Sequence, residues 1–449
     1  MFFRARVCAT LFAVSLVAVS ADAVIATAAE PAVVATAAAA PAAAKSTSWS
    51  QWRGPNRDGI SPEKNLLAEW PEDGPAVVWK VKDLGRGYAS VSIGDGKIFS
   101  MGSRKNVEHL IALDLADGHE LWATAAGDAD HSNCTPTYDG ERLYGVGLNG
   151  HLTCVDAKTG EQLWQRHFAK DFQGKMHSGW GFSESPLVDG DRLICTPGGK
   201  EAILAALDKK TGETIWTAVM PDRKEVGDRG GDGAAYSSVV VSEAAGVKQY
   251  VQLVGRGVIG VRASDGKVLW TYNRIANGTA NIPTPIVHGD YVFCSSGYGT
   301  GAALLKLERD DDGADAGIKA TEQYFLDAKK MQNHHGGMIL LGDYIYCGKG
   351  HNEGFPLCIE WKSGKTVWEP GRGPGGGSAA IAYADGNLYF RYESGVMALI
   401  EATPKEYRLK SQFKIAIKHG PSWPHPVIND GKLYLRDEDE LICYDIGRE

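Results

Sequence analysis

The stretch ALDKKTGETIW at residues 206–216 determines the fold, because it reads as a strand, a polar turn ending in glycine, and a second strand ending in tryptophan. A Thr-Gly turn supplies the residue with positive φ that a tight hairpin needs. The same pattern recurs as CVDAKTGEQLW at residues 154–164, and with departures at residues 112–122, 260–270 and 358–368. A supersecondary unit repeated along a chain is typical of a repeat architecture rather than of separate domains.

A second turn signal precedes these units. It consists of an Asp-Gly or Gly-Asp pair followed by β-prone apolar residues, as in Asp95-Gly96, Asp189-Gly190 and Asp430-Gly431. Such pairs between apolar runs are typical of β-hairpins. Each unit is therefore predicted to contain four strands, A to D, with tight turns between A and B and between C and D.

The number of units follows from the aromatic residue at the end of each strand D. These positions are Trp79, Trp122, Trp164, Trp216, Trp270, Phe325, Trp368 and Phe413. The last unit, residues 433–446, has no outer strand of its own, and residues 76–81 can supply one from the beginning of the chain. We therefore predict an all-β fold, an eight-bladed β-propeller closed by pairing of an N-terminal strand with the last blade. A seven-bladed ring is the alternative, if the unit around Phe325 is an insertion.

The tryptophans at these positions are expected to dock each blade against its neighbour. A four-stranded sheet cannot cover both of its faces alone, and one Trp side chain buries about 150–250 Å². We assign this structural role to Trp79, Trp122, Trp164, Trp216, Trp270 and Trp368.

The N-terminus is typical of an export signal. Arg4 and Arg6 precede a short apolar run at residues 7–19, and Ala21-Asp22-Ala23 supplies small residues for cleavage. The alternative is an uncleaved transmembrane helix, which is disfavoured because the run is shorter than the ~20 residues that span a membrane.

The predicted domains are a signal peptide at residues 1–23, a disordered Ala/Pro-rich tether at 24–48 and the propeller at 49–449. No transmembrane span is expected after cleavage. Cys8 lies at the start of the apolar run and not after it, so it cannot serve as the cysteine of a lipobox. The exported chain is therefore expected to be periplasmic or secreted.

The composition excludes some classes of function. A net charge of −8 and the lack of a Lys/Arg-rich run argue against nucleic acid as a partner, because phosphate binding needs a basic surface. Seven cysteines remain after the signal peptide, without a Cys-x-x-Cys pair that would indicate zinc. Free cysteines pack as small apolar residues. A disulfide between Cys347 and Cys358, on neighbouring strands, is the alternative.

The repeat at residues 154–164 and 206–216 resembles the tryptophan-docking repeat of the pyrroloquinoline-quinone-like propellers. The resemblance covers about residues 49–446 and is specific for the fold. One branch of these propellers comprises quinoprotein dehydrogenases, which hold the quinone and Ca²⁺ on the propeller axis. A second, non-catalytic branch includes the outer-membrane assembly lipoprotein BamB.

Two departures from the dehydrogenase branch favour the non-catalytic one. The chain has no pair of adjacent cysteines, which typically lie against the quinone, and no Cys-x-x-Cys-His haem motif. We therefore expect a BamB-like binding scaffold of the cell envelope, with no cofactor. The alternative is a periplasmic dehydrogenase of alcohols or sugars that uses pyrroloquinoline quinone and Ca²⁺.

A functional site is expected on the propeller face where the D–A and B–C connections converge on the axis, because loops on a rigid scaffold carry function. The candidate ligand-binding residues are His131, Asn133, His177, Trp180, Arg229, Asn281, His334, His335, Arg372 and Trp423. Trp180 and Trp423 would stack on a flat ligand, and Arg229 or Arg372 would pair with its carboxylates. Polar loops at a propeller mouth without any ligand are the competing interpretation.

Glu184 is the candidate catalytic base in the dehydrogenase interpretation, and Glu184 with Asn281 would supply hard oxygen ligands to Ca²⁺. In the scaffold interpretation the partner is an envelope protein or a small polar ligand. The closed ring is expected to be a monomer, on the argument that closure leaves no free sheet edge.

Overall fold

The computed structural model describes residues 48–310, 317–415 and 422–448. The predicted signal peptide and almost all of the predicted tether lie outside these described residues. The described strands form eight antiparallel sheets of four strands each. The prediction of an all-β, eight-bladed propeller is confirmed, and the seven-bladed alternative is excluded because the unit around Phe325 is a complete blade.

The strands of the first four blades follow the predicted A to D order from the axis outward. Strand β1 is Val77–Val81 and belongs to the last blade. Blade 1 contains β2–β5, which are Ser92–Gly94, Lys97–Arg104, Val107–Asp114 and Glu120–Gly127. Blade 2 contains β6–β9, which are Thr137–Tyr138, Arg142–Val146, His151–Asp156 and Gln162–His167. Blade 3 contains β10–β13, which are Leu187–Asp189, Arg192–Cys195, Leu204–Asp208 and Thr214–Ala218. Blade 4 contains β14–β17, which are Val240–Ser242, Gln249–Val254, Gly257–Arg262 and Val268–Tyr272.

The remaining blades repeat this arrangement. Blade 5 contains β18–β21, which are Ile286–His288, Tyr291–Ser296, Gly301–Arg309 and Ile318–Asp327. Blade 6 contains β22–β25, which are Met338–Leu341, Tyr344–Lys349, Phe355–Glu360 and Thr366–Trp368. Blade 7 contains β26–β29, which are Ala379–Ala384, Asn387–Tyr392, Val396–Glu401 and Leu409–Lys414. Blade 8 contains β30–β32, which are Val427–Asn429, Lys432–Asp437 and Glu440–Asp445, and is completed by β1.

Helical structure among the described residues is limited to connections between strands. Helices α1 and α2 are Phe168–Phe172 and Arg223–Val226, and Ala244–Gly246 forms one 3-10 turn. Within the described part of the chain, none of these helices has the length and apolar character needed to cross a membrane.

The ring closes between the two ends of the described chain. Strand β1 pairs antiparallel with β32, with Trp79 opposite Cys443 and Val81 opposite Leu441. Phe413 of blade 7 lies against Gly74, where a Cβ would come within 2.7 Å of the phenyl ring. The N-terminal segment therefore supplies the outer strand of blade 8, as the sequence predicted. It also supplies Gly74, the glycine on which blade 7 docks.

Four docking tryptophans, Trp79, Trp122, Trp164 and Trp216, lie on the glycine of the next blade's C–D turn, whereas Trp368 donates a hydrogen bond to the Thr403 carbonyl of a turn without glycine. A Cβ on Gly266 would lie 2.6 Å from the Trp216 ring, and a Cβ on Gly212 would lie 2.8 Å from the Trp164 ring. The Trp216 indole also donates a 3.2 Å hydrogen bond to the carbonyl of Ala263 in that turn. Only glycine permits this approach, because any side chain would occupy the space of the indole.

Blade 5 departs from the expected docking residue. Leu304 pairs with Tyr324 just before the bulge, at the position that a docking tryptophan holds in blades 1–4, 6 and 8. Tyr324 lies against Gly364 of blade 6, and its hydroxyl donates to the carbonyl of Trp361 at 2.7 Å. Tyr324 therefore holds the position that the sequence analysis gave to Phe325, because strand pairing places Tyr324 beside the bulge.

The seven described cysteines are buried free thiols. The predicted Cys347–Cys358 disulfide is wrong, because Cys347 pairs with Leu357 and Cys358 pairs with Tyr346. Neighbouring positions in paired strands direct their side chains to opposite faces of the sheet. Cys347 accordingly packs in the core between blades 5 and 6, and Cys358 packs in the core between blades 6 and 7.

Closure of the ring does not remove the sheet edges. The outermost strand of each blade is hydrogen-bonded to its blade on one side only, so its other edge faces outward. Ring closure therefore gives no support to the expectation of a monomer, which assumed that a closed ring has no free sheet edge. Closure joins the first and last blades but leaves one outer strand edge per blade.

Residues 49–60 fill part of the propeller axis. The Arg57 guanidinium donates to the carbonyls of Ser185 and Pro186 in blade 3 and Val239 in blade 4. The Arg53 guanidinium donates to the carbonyl of Met338 in blade 6 at 2.6 Å. Because one segment contacts the inner strands of several blades, it must lie between them. We call residues 49–60 the axial plug.

The docking contacts generate a stability prediction. Replacing Trp216, which is 8% exposed, by alanine removes the ring that covers Gly266, so Trp216→Ala is expected to destabilise the fold by roughly 3–5 kcal/mol. The measurement is the midpoint of chemical unfolding. Ile215→Ala on the same strand is the control, because Ile215 is 46% exposed and should shift the midpoint little. Equal shifts in the two variants would contradict the docking role.

Candidate functional site

A cavity of about 550 Å³ lies at the axial mouth, on the face where the D–A and B–C connections converge. We call it the axial cavity. The predicted residues that line it are His131, Asn133, Trp180, His334, His335 and Trp423. These six come from the connections that enter blades 2, 3, 6 and 8, and the propeller ring brings them together although they are distant in sequence.

The floor of the axial cavity is formed by the axial plug. The Trp52 ring meets the His425 ring edge-on, with their centroids 5.5 Å apart. Burial and the nearby Arg53 guanidinium lower the pKa of His425 to about 3, which keeps the imidazole neutral. Its Nε2 lies 3.2 Å from the carbonyl oxygen of His335. Trp52 of the plug and the neutral His425 therefore form an uncharged floor of the cavity.

Aromatic rings form one wall of the cavity. The Trp423 ring centroid lies 4.5 Å from that of Tyr88 and 5.3 Å from that of His335. The Trp423 indole donates a 2.8 Å hydrogen bond to Oε1 of Glu393. The His335 ring is 3.0 Å from the same carboxylate oxygen through its Nε2. These contacts hold the rings in fixed positions around the opening.

A second group of rings lies beside this wall. The His334 ring is 4.4 Å from His351 and 5.3 Å from Tyr298, measured between centroids. Burial, with His335 and His351 nearby, lowers the pKa of His334 to about 3. His334 is therefore neutral at physiological pH, and this side of the cavity presents polar but uncharged nitrogen atoms.

Trp180 stands at the rim of the cavity with 57% of its surface exposed. Its backbone is held by Asn133, whose side-chain amide donates to the Trp180 carbonyl at 3.2 Å and to the Ser183 hydroxyl at 3.0 Å. The Tyr236 hydroxyl accepts a hydrogen bond from the Trp180 backbone amide. A large exposed indole on an ordered loop is a preformed contact surface.

Glu184 lies outside the cavity, contrary to the expectation that it acts there as a base. Its side chain is 2% exposed and accepts a hydrogen bond from the Thr196 backbone amide. Burial raises its pKa to about 7, although the Arg57 guanidinium of the plug lowers it in part. This carboxyl is enclosed between blade 3 and the plug, so a ligand in the axial cavity does not reach it.

Asn281 is likewise enclosed rather than available to Ca²⁺. Its side-chain oxygen accepts hydrogen bonds from Asn277 and the Ser296 hydroxyl, and its amide donates to the carbonyls of Val254 and Gly255. A side chain whose oxygen already accepts several hydrogen bonds has little capacity left for a metal. The expected pairing of Glu184 with Asn281 as calcium ligands is therefore not supported by their surroundings.

His177, Arg229 and Arg372 also lie outside the cavity lining. The His177 ring packs 5.7 Å from that of Tyr236, and burial lowers its pKa to about 4. Arg229 is exposed and donates to the carbonyl of Ala276 at 3.1 Å, and Arg372 is exposed on its loop. These three residues lie on the loops that the sequence analysis named, but they are not part of the lining of the axial cavity.

Sequence reasoning did not select several residues of the site, among them Trp52, Tyr88, Tyr298, His351 and His425 in the cavity lining. Trp52 precedes the first strand, in a segment rich in Trp, Arg, Gly and Pro whose place on the axis no local pattern predicts. Glu393 lies in the B–C turn of blade 7, directly behind the lining residues Trp423 and His335. His351 and Asn352 belong to the B–C turn of blade 6, so the short B–C turns also supply residues to the site.

The lining is poorly suited to pyrroloquinoline quinone with Ca²⁺. Arg86 is the arginine of the cavity lining and lies 3.6 Å from Asp130, and no lysine lines the cavity among the described residues. Several of the imidazoles are kept neutral by burial. A ligand with several carboxylates would find little positive charge to pair with.

The family profile described as outer membrane protein assembly factor BamB matches residues 106–370 of this chain. BamB of Burkholderia pseudomallei is 22% identical over 267 residues, which are 57% of this chain and 60% of that protein. The chain thus matches less than two thirds of the length of this curated relative.

Solved structures show the same fold. BamB from Moraxella catarrhalis superposes with a TM-score of 0.58 and 12% identity, covering 83% of this chain and all of that one. The quinohemoprotein alcohol dehydrogenase of Comamonas testosteroni superposes with a TM-score of 0.60 and 13% identity, covering 90% and 81%. Binding propellers and enzymes share this fold, so similarity of fold does not indicate which of the two functions a chain has. The residues of the site have to be used instead.

The buried carboxyl of Glu184 generates a prediction about pH. Because its pKa is raised in the folded state, the folded protein holds a proton that the unfolded chain has lost, so stability falls as pH rises from about 4.5 to about 7. Glu184→Gln is expected to reduce this fall by roughly 3 kcal/mol. Chemical unfolding across this pH range measures the difference.

The exposed Glu161→Gln variant is the control for this experiment, since its carboxyl lies on a surface turn. It should leave the pH dependence of stability unchanged. Identical pH profiles for the wild-type protein and Glu184→Gln would show that Glu184 is not a protonated, buried carboxyl.

Proposed function

This chain belongs to the family of the outer membrane protein assembly factor BamB, and from that premise we propose that it is an exported, non-catalytic binding propeller of the bacterial cell envelope. The export signal at residues 1–23 supports delivery beyond the inner membrane. The partner is an envelope protein that inserts an apolar side chain into the axial cavity.

The observation that carries this proposal is the exposed Trp180 at the rim of the axial cavity. Tryptophan is enriched among the residues that contribute most to protein–protein binding, particularly where it borders a pocket that excludes water. The cavity behind it has an aromatic wall of Tyr88, Trp423 and His335. A bound side chain would replace water against these rings without burying an unpaired charge.

The arrangement of polar groups supports binding rather than chemistry. A general base must lie within hydrogen-bonding reach of the proton it removes. The Glu393 carboxylate is already bonded to the Trp423 indole and the His335 ring, and Glu184 is enclosed beneath the plug. The pKa of Glu393 is lowered, despite burial, by its hydrogen bond to His335, so at neutral pH it is an ionised acceptor for these groups.

Capture of envelope proteins tests the role of Trp180. The purified protein should retain a stoichiometric partner from envelope extracts, and Trp180→Ala should weaken the measured affinity for that partner by at least about tenfold, as expected of a dominant contact residue. Leu163→Ala, on the outer strand of blade 2 and 42% exposed, is the matched control and should bind normally.

The outcome that would contradict this prediction is equal binding by Trp180→Ala and the wild-type protein, or the absence of any stoichiometric partner. Circular dichroism of both variants checks that the propeller is intact. If Trp180→Ala and Leu163→Ala lose the partner to the same extent, the interface lies on the outer strands. That result would overturn the proposal that the partner binds at the axial cavity.

Reconstitution with pyrroloquinoline quinone and Ca²⁺ separates the binding propeller from the alternative dehydrogenase. We expect no calorimetric binding of the quinone and no reduction of an artificial electron acceptor with alcohols or sugars, because the cavity lining supplies little positive charge for carboxylates. Quinone binding together with dye reduction would overturn the proposal in favour of the enzyme.

A further inference from the structure

At one side of the axial cavity, two residues of its lining and one residue behind the lining form a group of three potential metal ligands. His334, His335 and Glu393 each offer a ligand atom, and these atoms lie within 4.8 Å of one another. His334 and His335 belong to the connection that enters blade 6, whereas Glu393 belongs to the B–C turn of blade 7. Two imidazoles and one carboxylate are a donor set that zinc and other divalent transition metals accept.

We propose that His334, His335 and Glu393 form a binding site for a divalent transition metal ion, with Zn²⁺ as the simplest occupant. The three groups need only small movements, because Nε2 of His335 is already 3.0 Å from Oε1 of Glu393. Two ligand atoms around a tetrahedral zinc ion lie at about this separation, given bond lengths of about 2.0–2.1 Å. The metal would take the place of the present hydrogen bond between Nε2 of His335 and Oε1 of Glu393.

Hydrogen bonds from outside the cluster orient the ligands. Nδ1 of His334 is 2.7 Å from the Ser378 hydroxyl, and the Trp423 indole donates to Glu393 at 2.8 Å. Partners of this kind fix ring and carboxylate orientation in metal sites. Gly377 permits close approach of the chain to the carboxylate, since a Cβ there would lie 2.6 Å from the Glu393 side chain.

The cluster is partly withdrawn from water but opens onto the cavity. The side chains of His335 and Glu393 are 11% and 19% exposed. Nδ1 of His335 is buried without a hydrogen-bond partner among the described residues, as is Nδ1 of His351, whose ring lies 4.4 Å from that of His334.

Three protein ligands leave at least one coordination position for a group in the cavity. A carboxylate or carbonyl oxygen of a bound molecule would complete a four-coordinate zinc ion. Binding of the metal does not depend on the proposed envelope partner, and the two ideas can fail separately.

A second group, Asp114, Asp117 and His119, has similar spacing but different surroundings. It lies on the C–D turn of blade 1, where Asp117 and His119 are exposed to water. Exposed acidic turns are common without a metal, and this one faces no cavity. It serves as the internal control for the proposed site.

The test uses the full exported chain with Zn²⁺ and Co²⁺ as probes. Calorimetry is expected to show one tight Zn²⁺ site, and Co²⁺ is expected to give visible d–d absorption bands of nitrogen and oxygen coordination. His335→Gln and Glu393→Gln should each weaken Zn²⁺ binding by at least about tenfold and remove the Co²⁺ bands. Asp117→Asn should retain both signals, and circular dichroism checks the folding of every variant.

Three results would overturn the proposal. One is the absence of Zn²⁺ binding to the wild-type protein, and another is wild-type affinity in both His335→Gln and Glu393→Gln. The third is an intense near-ultraviolet charge-transfer band with Co²⁺, which would assign binding to a cysteine thiolate instead. If one variant fails to fold, the other variant decides, because the two residues lie on different blades.

Discussion

The docking of an indole ring on the glycine of the next blade's C–D turn is the interaction on which the rest of this structure depends. Trp216 on Gly266 and Trp164 on Gly212 show the contact: the ring covers the backbone, and its nitrogen donates a hydrogen bond to a carbonyl of the same turn. Trp79 and Trp122 also lie on the glycine of the next blade's turn, and Tyr324 and Trp368 donate hydrogen bonds to turn carbonyls of their neighbouring blades. Repetition of this contact around the circle sets the tilt and spacing of the blades, and thereby the width of the central channel.

The inner strands leave polar backbone groups along the central channel, and the N-terminal segment of the chain forms hydrogen bonds with them. Inner strands of several blades present carbonyl groups to the axis, and unsatisfied buried carbonyls are costly. Arg53 and Arg57 of the axial plug bond to these carbonyls from the inside. The plug also carries Trp52, so the same segment that fills the channel gives the axial cavity its floor.

The axial cavity is consequently rich in aromatic rings, and Arg86 and Asp130 carry opposite charges in its lining. His334 and His425 are neutral because they are buried, and the Glu393 carboxylate behind the lining is hydrogen-bonded to Trp423 and His335. Such a lining suits an apolar side chain of a partner. The adjoining histidines and Glu393 suit a metal ion, so the two proposals describe neighbouring parts of one surface.

The sequence by itself determined the fold, because the strand–turn–strand pattern and its terminal tryptophan are local features that each unit repeats. The last unit lacks an outer strand, and residues 76–81 near the start of the propeller could be recognised as the strand that completes it. It also located the face on which six of the cavity residues lie. Only the tertiary structure decided which loop side chains meet. Glu184 and Asn281 turn into the protein, while Trp52 lines the cavity and Glu393 lies behind its lining, because those positions depend on the plug and on contacts between blades that no local pattern encodes. The docking residue of blade 5 was decided in the same way, since strand pairing places Tyr324 rather than Phe325 beside the bulge.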